Sequence, residues 1–337
     1  MKNLTLENIT KACKGVYHGD ESKLGMEVEG VVIDSRKVQK GYLFVAIDGE
    51  NVNAHQFIPD TIEKGALCVI SHEDLGDTDF SYILVESTGQ ALLDIAKLYR
   101  DSFDIKVVGI TGSVGKTSTK EMIASVVAQK YQVHKTIGNF NNEWGLPLTI
   151  FEMNEEHQVA ILEMGVNHFG EMRRLSSVAS PDICVITNIG VAHLEFFKTR
   201  EGILQEKSKM IQDMKDGGTI ILNGDDDLLS QVGPIKGATP ILFGKSFDSG
   251  LNLFGSEMKG ITDCRACQRI RDHVGAWQWN DAFKGGFIRQ MDRAGGSSKS
   301  QGLDIVSIEL AILSKSEKDR SGAFDRANLR EQVIVPV

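Results

Sequence analysis

The chain contains no apolar run near the roughly 18 residues that a membrane-crossing helix needs. Its opening stretch, MKNLTLENITKACKG, lacks the apolar core of a secretory signal. Membrane insertion and export by that route are therefore not expected. Cysteine is scarce: the five residues form an odd, scattered set, which excludes a disulfide framework and suits reduced thiols in the cytoplasm. Cys264 and Cys267 make the one close C-x-x-C pair. With no second pair, that is weak support for a zinc or redox centre. Positive charge is also short, with 37 Lys and Arg against 46 Asp and Glu and a net charge of −9. Neither nucleic acid nor an anionic membrane surface attracts such a chain.

What is present reads as a soluble globular protein, 41% hydrophobic and 25% charged over 337 residues. That length suggests two or three domains. Thr5 is placed to cap a short helix with Leu6, Ile9 and Cys13 on one face and Gly15 at its end. EGVVIDSRKV and GYLFVAI are β-rich runs, HQFIPDTIEKGALCVIS reads as a helix leading to a strand, and GQALLDIAKLYRD has a helical apolar period. From about residue 105 the pattern becomes regular. Strands are expected at KVVGIT, HQVAILEMG, PDICVITNIG, GGTIILNGDD and TPILFG. Helical stretches lie between several of them, including one from about 116 to 129 with Met122, Ile123, Val126 and Val127 inward. Such alternation predicts an α/β protein whose central domain, residues 101–248, is a doubly wound, mostly parallel sheet. A smaller mixed α/β domain precedes it over residues 1–100.

After Ser249 the character changes. Up to residue 248 there are 19 Lys and 5 Arg; from 249 to 337 there are 5 Lys and 8 Arg, and Trp277 and Trp279 stand there. The β–α alternation also stops. The expectation is a tail of different origin over 249–337, such as a shifted reading frame, a fusion or a divergent segment.

The stretch VVGITGSVGKTSTKE joins an apolar strand to a helix through a glycine-rich turn. Gly112 and Gly115 permit close backbone approach, so the segment Gly112, Ser113, Val114, Gly115, Lys116, Thr117 and Ser118 can wrap phosphate oxygens at a helix N-terminus. Lys116 can reach the terminal phosphates, and the Thr117 hydroxyl suits Mg2+. Ile110 occupies the place of the first glycine in the usual G-x-x-x-x-G-K-[ST] pattern, so the motif is a T-G-x-x-G-K-T variant. Glu163 ends one strand and suits a hard cation, and His193 follows the next. At the carboxyl edge of a parallel sheet these two converge with Thr117. Taken alone, Lys207 reads as a solvated lysine on a helix. Asn139, Asn141 and Asn142 suit a polar ligand or a plain loop. Ser35 and Arg36 follow a strand, where Arg36 can bind an anion or pair with a surface acid. The acidic run at 223–227 reads as a turn of solvated carboxylates.

In this order, DSRKVQKGYLFVAIDG, TGSVGKTSTKE, TIGNFNNEWGLPLT, EMGVNHFGEM, TNIGVAHLE and EKSKMI resemble the Mur ligases of peptidoglycan synthesis over residues 1 to about 248. Ser113 and the pair Lys120–Glu121 favour the branch that adds D-alanyl-D-alanine. The resemblance implies a cytoplasmic, monomeric ligase that uses ATP and Mg2+. It would join D-alanyl-D-alanine to UDP-N-acetylmuramoyl-tripeptide through an acyl phosphate.

Lys116 would contact phosphates, and Thr117, Glu163 and His193 would serve the metal. Lys207 would match the lysine that family members carbamylate, making Lys116, Lys207 and His193 the catalytic set. Ser35 and Arg36 would belong to the uridine diphosphate site, and Asn141 and Asn142 would line the muramoyl-peptide path. Family members continue with motifs like H-x-x-x-N and D-x-Y-N-A-N-P and a further acceptor domain. None of these is found after Ser249, so an incomplete central domain and impaired activity are expected. The alternatives are a sister ligase that adds a single amino acid and a non-catalytic nucleotide- or UDP-sugar-binding remnant.

Overall fold

The structure, a computed structural model, describes residues 1–49 and 52–244. The expected change of character after Ser249, the Cys264–Cys267 pair and the two late tryptophans lie outside the described residues.

Helix α1 (Leu6–Ala12) starts at Thr5, whose hydroxyl accepts the Asn8 N–H, as the sequence predicts. Around it a first sheet forms from β1 (Val16–His18), β2 (Gly30–Val32), β3 (Tyr42–Val45), β4 (Cys68–Ser71) and β5 (Tyr82–Leu84). Its order is β1-β5-β4-β3-β2, parallel except for the β1–β5 pair. Helix α2 (Ile58–Glu63) has Pro59 in its first turn, where the missing N–H costs nothing.

Helix α3 (Thr88–Arg100), capped by Ser87, joins this unit to the second. Its Ala91, Leu92, Ile95 and Ala96 are buried as the period predicts, together with Leu93, Tyr99 and Arg100. The Tyr99 hydroxyl donates to the Met153 carbonyl at 2.8 Å. The Arg100 guanidinium is buried, and it donates to the Ala179 and Ser180 carbonyls at 3.0 and 3.2 Å. One apolar core therefore runs from Leu43 and Ile70 of the first sheet through Leu92 and Ile95 to Leu162 and Ile186 of the second.

The second unit comprises β6 (Lys106–Thr111), α4 (Lys116–Val127), β7 (Val133–Lys135), α5 (Gly145–Phe151), β8 (Val159–Glu163), α6 (Glu171–Ala179), β9 (Ile183–Ile186), α7 (Leu194–Phe197), α8 (Arg200–Gln212), β10 (Thr219–Asn223) and β11 (Ile241–Phe243). Its six strands are all parallel in the order β11-β10-β9-β6-β8-β7. Strand residues alternate between the two faces. Val107, Leu162, Cys184 and Leu222 face the core shared with α3, α5, α6 and α8, whereas Val108, Ile161, Val185 and Ile221 pack with Ile123 and Val127 of α4. Met122 and Val126, expected inward, are only partly buried; Ala124 joins Ile123 and Val127 instead. The asparagine-rich segment is likewise more than a loop, because its end forms α5.

Candidate active site

Strand β6 delivers the chain to Gly112, whose φ is +149°. A Cβ there would lie 1.9 Å from the Thr187 hydroxyl oxygen, so the turn tolerates only glycine. Gly115, at φ +82°, caps α4, which begins at Lys116. The first N–H groups of that helix have no intrahelical acceptor and carry its positive dipole end. The loop is fastened from behind by the segment after β9. Ser113 and Val114 donate their N–H groups to Asn188 Oδ1 at 3.0 and 2.9 Å, Gly190 N–H donates to Ser113 Oγ at 2.9 Å, and Thr187 Oγ1 donates to the Val114 carbonyl at 2.6 Å. Those two loop N–H groups therefore face Asn188, which leaves the helix end and Lys116 as the anion-attracting parts. Lys116 Nζ curls back to the Gly112 carbonyl at 3.0 Å. Burial holds its pKa below the usual lysine value, opposed by the charge of Glu163.

Beneath the loop, Glu163 ends β8 with 1% of its surface exposed. Its carboxylate accepts the Thr117 hydroxyl at 3.2 and 3.0 Å and Asn141 Nδ2 at 2.8 Å. Its own N–H donates to Thr136 Oγ1 at 3.0 Å. Lys120, fully buried, stands 3.8 Å from the same carboxylate and 3.3 Å from Glu121, with no hydrogen bond to its Nζ. The structure thus brings Thr117, Asn141 and Glu163 together. A hydroxyl and a carboxylate are oxygen donors of the kind Mg2+ takes, so these residues fit that ion.

Lys207 enters from α8, only 3% exposed. Its pKa is pushed down to about 7 by burial and then by the charge of Lys116, with Glu206 pulling the other way. Glu206 is itself fully buried, and its Oε1 accepts the Gly170 and Met172 N–H groups at the start of α6, at 2.8 and 3.0 Å. The bland reading of Lys207 as solvated does not describe this position.

His193 starts α7 in a left-handed conformation, φ +62°, and is exposed. It follows β9 on the same sheet edge, but among the described residues no contact links its ring to Thr117 or Glu163. Asn142 caps α5, its Oδ1 accepting the Trp144 and Gly145 N–H groups at 3.2 and 2.8 Å. Ser35 lies in a short 3-10 turn after β2, where its carbonyl accepts Lys64 Nζ at 2.8 Å. Arg36 forms a two-point ion pair with Asp34, at 2.9 and 2.8 Å. That pair holds the Asp34 carboxyl at about 2, well below its usual range.

Sequence reasoning missed Lys120, Asn188 and Glu206. It also read the acidic run as solvated, whereas Asp226 binds the Ile189 N–H at 2.8 Å and caps Leu228 and Leu229, and Asp227 pairs with Arg200 at 2.5 Å. An Asp two and three residues ahead of a Leu-Leu pair, just past a strand, was the available signal for that cap.

A glycine turn opening a helix at the carboxyl edge of a doubly wound parallel sheet, with a hydroxyl and a buried carboxylate paired below it, places this unit among the P-loop nucleotide-binding folds. Known proteins narrow the class. The model described as Mur ligase middle domain matches residues 110–251, and the one described as Mur ligase family, catalytic domain, matches residues 27–99. The chain belongs to the Mur ligase family.

The UDP-N-acetylmuramoyl-tripeptide--D-alanyl-D-alanine ligase of Bacillus subtilis (strain 168) is 40% identical over 227 residues, 67% of this chain and 50% of that protein. The protein of the same name from Escherichia coli (strain K12) is 33% identical over 227 residues, 67% of this chain and 49% of its own length. Among solved structures, MurF from Acinetobacter baumannii superposes with a TM-score of 0.67 at 32% identity, covering 72% of this chain and 53% of that one. MurF ligase from Thermotoga maritima in complex with ADP gives 0.59 at 36% identity, covering 63% and 49%. The chain spans about half the length of the curated relatives it matches.

Proposed function

We propose that residues 1–244 supply the UDP-substrate-binding and ATP-binding units of an ATP-dependent, cytoplasmic ligase that joins D-alanyl-D-alanine to UDP-N-acetylmuramoyl-tripeptide in peptidoglycan precursor synthesis. The observation that carries this reading is the pairing of Thr117 with Glu163 directly beneath the Lys116 loop. Support comes from the curated relatives of that name and from the neighbour solved with ADP. No helix among the described residues is long and apolar enough to cross a membrane.

In this reading the N-terminus of α4 and Lys116 receive the ATP phosphates and offset their charge. Thr117, Glu163 and Lys207, with His193 on the same edge, would hold Mg2+, which when bound spreads the charge of the transferring phosphoryl group. The Asn141 amide aims the Glu163 carboxylate, and Asn188 keeps the loop from collapsing into that space. Lys207, substantially neutral near pH 7, is an amine that can accept carbon dioxide and so become anionic. The ATP γ-phosphoryl would pass to the terminal carboxylate of the tripeptide, and the amine of D-alanyl-D-alanine would then displace phosphate from the acyl phosphate. Position and electrostatics supply most of the rate in such a transfer.

The test is formation of ADP and the pentapeptide product by the purified chain with both substrates, compared with Lys116→Ala. Product formation abolished in the variant supports the ligase. Nucleotide binding that depends on Lys116 without product supports the second reading, a non-catalytic nucleotide- or UDP-sugar-binding chain. Absence of any Lys116-dependent nucleotide binding sinks both.

A further inference from the structure

We propose that Asp48, His55 and His72 form a binding site for a divalent transition metal of the Zn2+ type, in the first sheet unit and independent of the phosphate site. Strands β3 and β4 are parallel neighbours, so the segments leaving their carboxyl ends lie side by side. Asp48 follows β3, His55 sits in the 3-10 turn Ala54–Phe57, and His72 comes directly after β4. One donor atom from each of the three lies within 4.8 Å of the other two.

Distances and chemistry agree on the ligand. His55 Nδ1 is 3.3 Å from Asp48 Oδ1, and His72 Nε2 is 3.3 Å from Asp48 Oδ2. Both are long for a hydrogen bond, for which about 2.9 Å is usual. They end on different carboxylate oxygens, so Asp48 stands between the two imidazole nitrogens, and each separation is near the roughly 3.3 Å between donors on one ion with Zn–N and Zn–O bonds about 2.0–2.1 Å long. The two imidazole rings meet edge to face, 4.5 Å apart at 78°. Two imidazoles and a carboxylate suit Zn2+ and its neighbours, whereas Mg2+ and Ca2+ take all-oxygen shells.

Acceptors crowd the Nδ1 edge of the buried His55 ring. Its side chain is 5% exposed. Two acceptor oxygens converge on Nδ1, that of Asp48 and the Asn53 Oδ1 at 2.9 Å, which is more than one N–H satisfies. The other ring nitrogen, Nε2, is buried with no partner. A cation at Nδ1 would use the nitrogen lone pair and the converging oxygens together, and Asn53 Oδ1 is poised as a further donor. Asp48 and His72 are partly exposed, at 44% and 32% of their side chains, and a cleft of about 590 Å3 lined by Asn53, His55, Glu73 and Phe80 borders the cluster. An ion can therefore enter and keep a water as fourth ligand. Bound there, it would pin the connection after β3 to the turn after β4.

The test uses the full chain, stripped with a chelator and titrated with Zn2+ by calorimetry and with Co2+ by visible absorption. The background is Cys264→Ser with Cys267→Ser, because that thiol pair could take the same metals. One equivalent is expected to bind, with a four-coordinate Co2+ spectrum and no sulfur-to-cobalt charge-transfer band. His72→Ala should weaken binding at least about tenfold. Asp48→Asn should do the same, so the test survives if one variant fails to fold. Binding unchanged by both substitutions, or no stoichiometric binding in the background lacking Cys264 and Cys267, would overturn the proposal. Neither result bears on Lys116-dependent nucleotide binding, so this inference and the proposed ligase fail separately.

Discussion

Lys116 and Lys207, 91 positions apart in sequence, are held within electrostatic reach of each other, and the charge on Lys116 helps to push Lys207 down to about 7. The uncharged amine is then accessible near neutral pH, where an ordinary lysine is charged. With isotope-enriched bicarbonate, the protein should show a carbamate carbon signal that Lys207→Arg abolishes. Lys116→Met removes the repelling charge, raises the Lys207 pKa and should shrink that signal at pH 7. An undiminished signal in Lys116→Met would mean that burial alone sets the state of Lys207.

Lys120 and Glu163 form a buried pair of charges in which neither group reaches water. Removing one partner strands the other, which typically costs about 3–5 kcal/mol. Lys120→Met should therefore lower stability by that order in urea denaturation. Combining it with Glu163→Gln should recover a large part of the loss, because no lone buried charge remains. Strictly additive losses in the double variant would show that the pair is not coupled.

Gly112→Ala drives a methyl group against the Thr187 hydroxyl and places a side chain at φ +149°. The expected loss is about 1–3 kcal/mol together with most of the nucleotide affinity. Adding Thr187→Ala removes the hydroxyl that is struck, so stability should return in part while affinity stays low. Full nucleotide affinity in Gly112→Ala, measured by calorimetry, would contradict the assigned role of the turn.

His134 on β7 is buried, with Nε2 2.7 Å from the Thr149 carbonyl. Burial lowers its pKa against the effect of that hydrogen bond, and His157 lowers it further. The unfolded ring, with an ordinary pKa of about 6.5, then takes up a proton before the folded one does. Stability should be full above that value and should fall as pH drops below it. His134→Phe should flatten this part of the pH profile in thermal melts. An identical slope in the variant would assign it to other groups.

The second sheet was legible because its strands are apolar runs and its helices lie between them, as in KVVGIT followed by the Lys116 helix. That Thr117 and Glu163 meet was legible for the same reason, since both sit at strand or loop ends on the carboxyl edge of a parallel sheet. Two kinds of feature were hidden. Short edge pieces such as β7, three residues long, carry too little period to register. Partnerships between distant polar residues were invisible as well. Asn188, 74 residues beyond Val114, and Glu206, on α8 but bonded to the start of α6, have partners that only the fold supplies. Lys120 was hidden differently: it looks like any exposed helix lysine until packing against β8 buries it.

Because Arg100 closes the carboxyl end of α6 and Tyr99 holds the turn at Met153, α3 belongs to both sheets at once. Recombination between chains of this architecture is constrained accordingly. A crossover inside residues 88–100 would graft half of one seam onto another. A transplanted first unit must therefore bring α3 and find a recipient whose α6 ends in free carbonyls, so inheritance of the two units is coupled by a single helix.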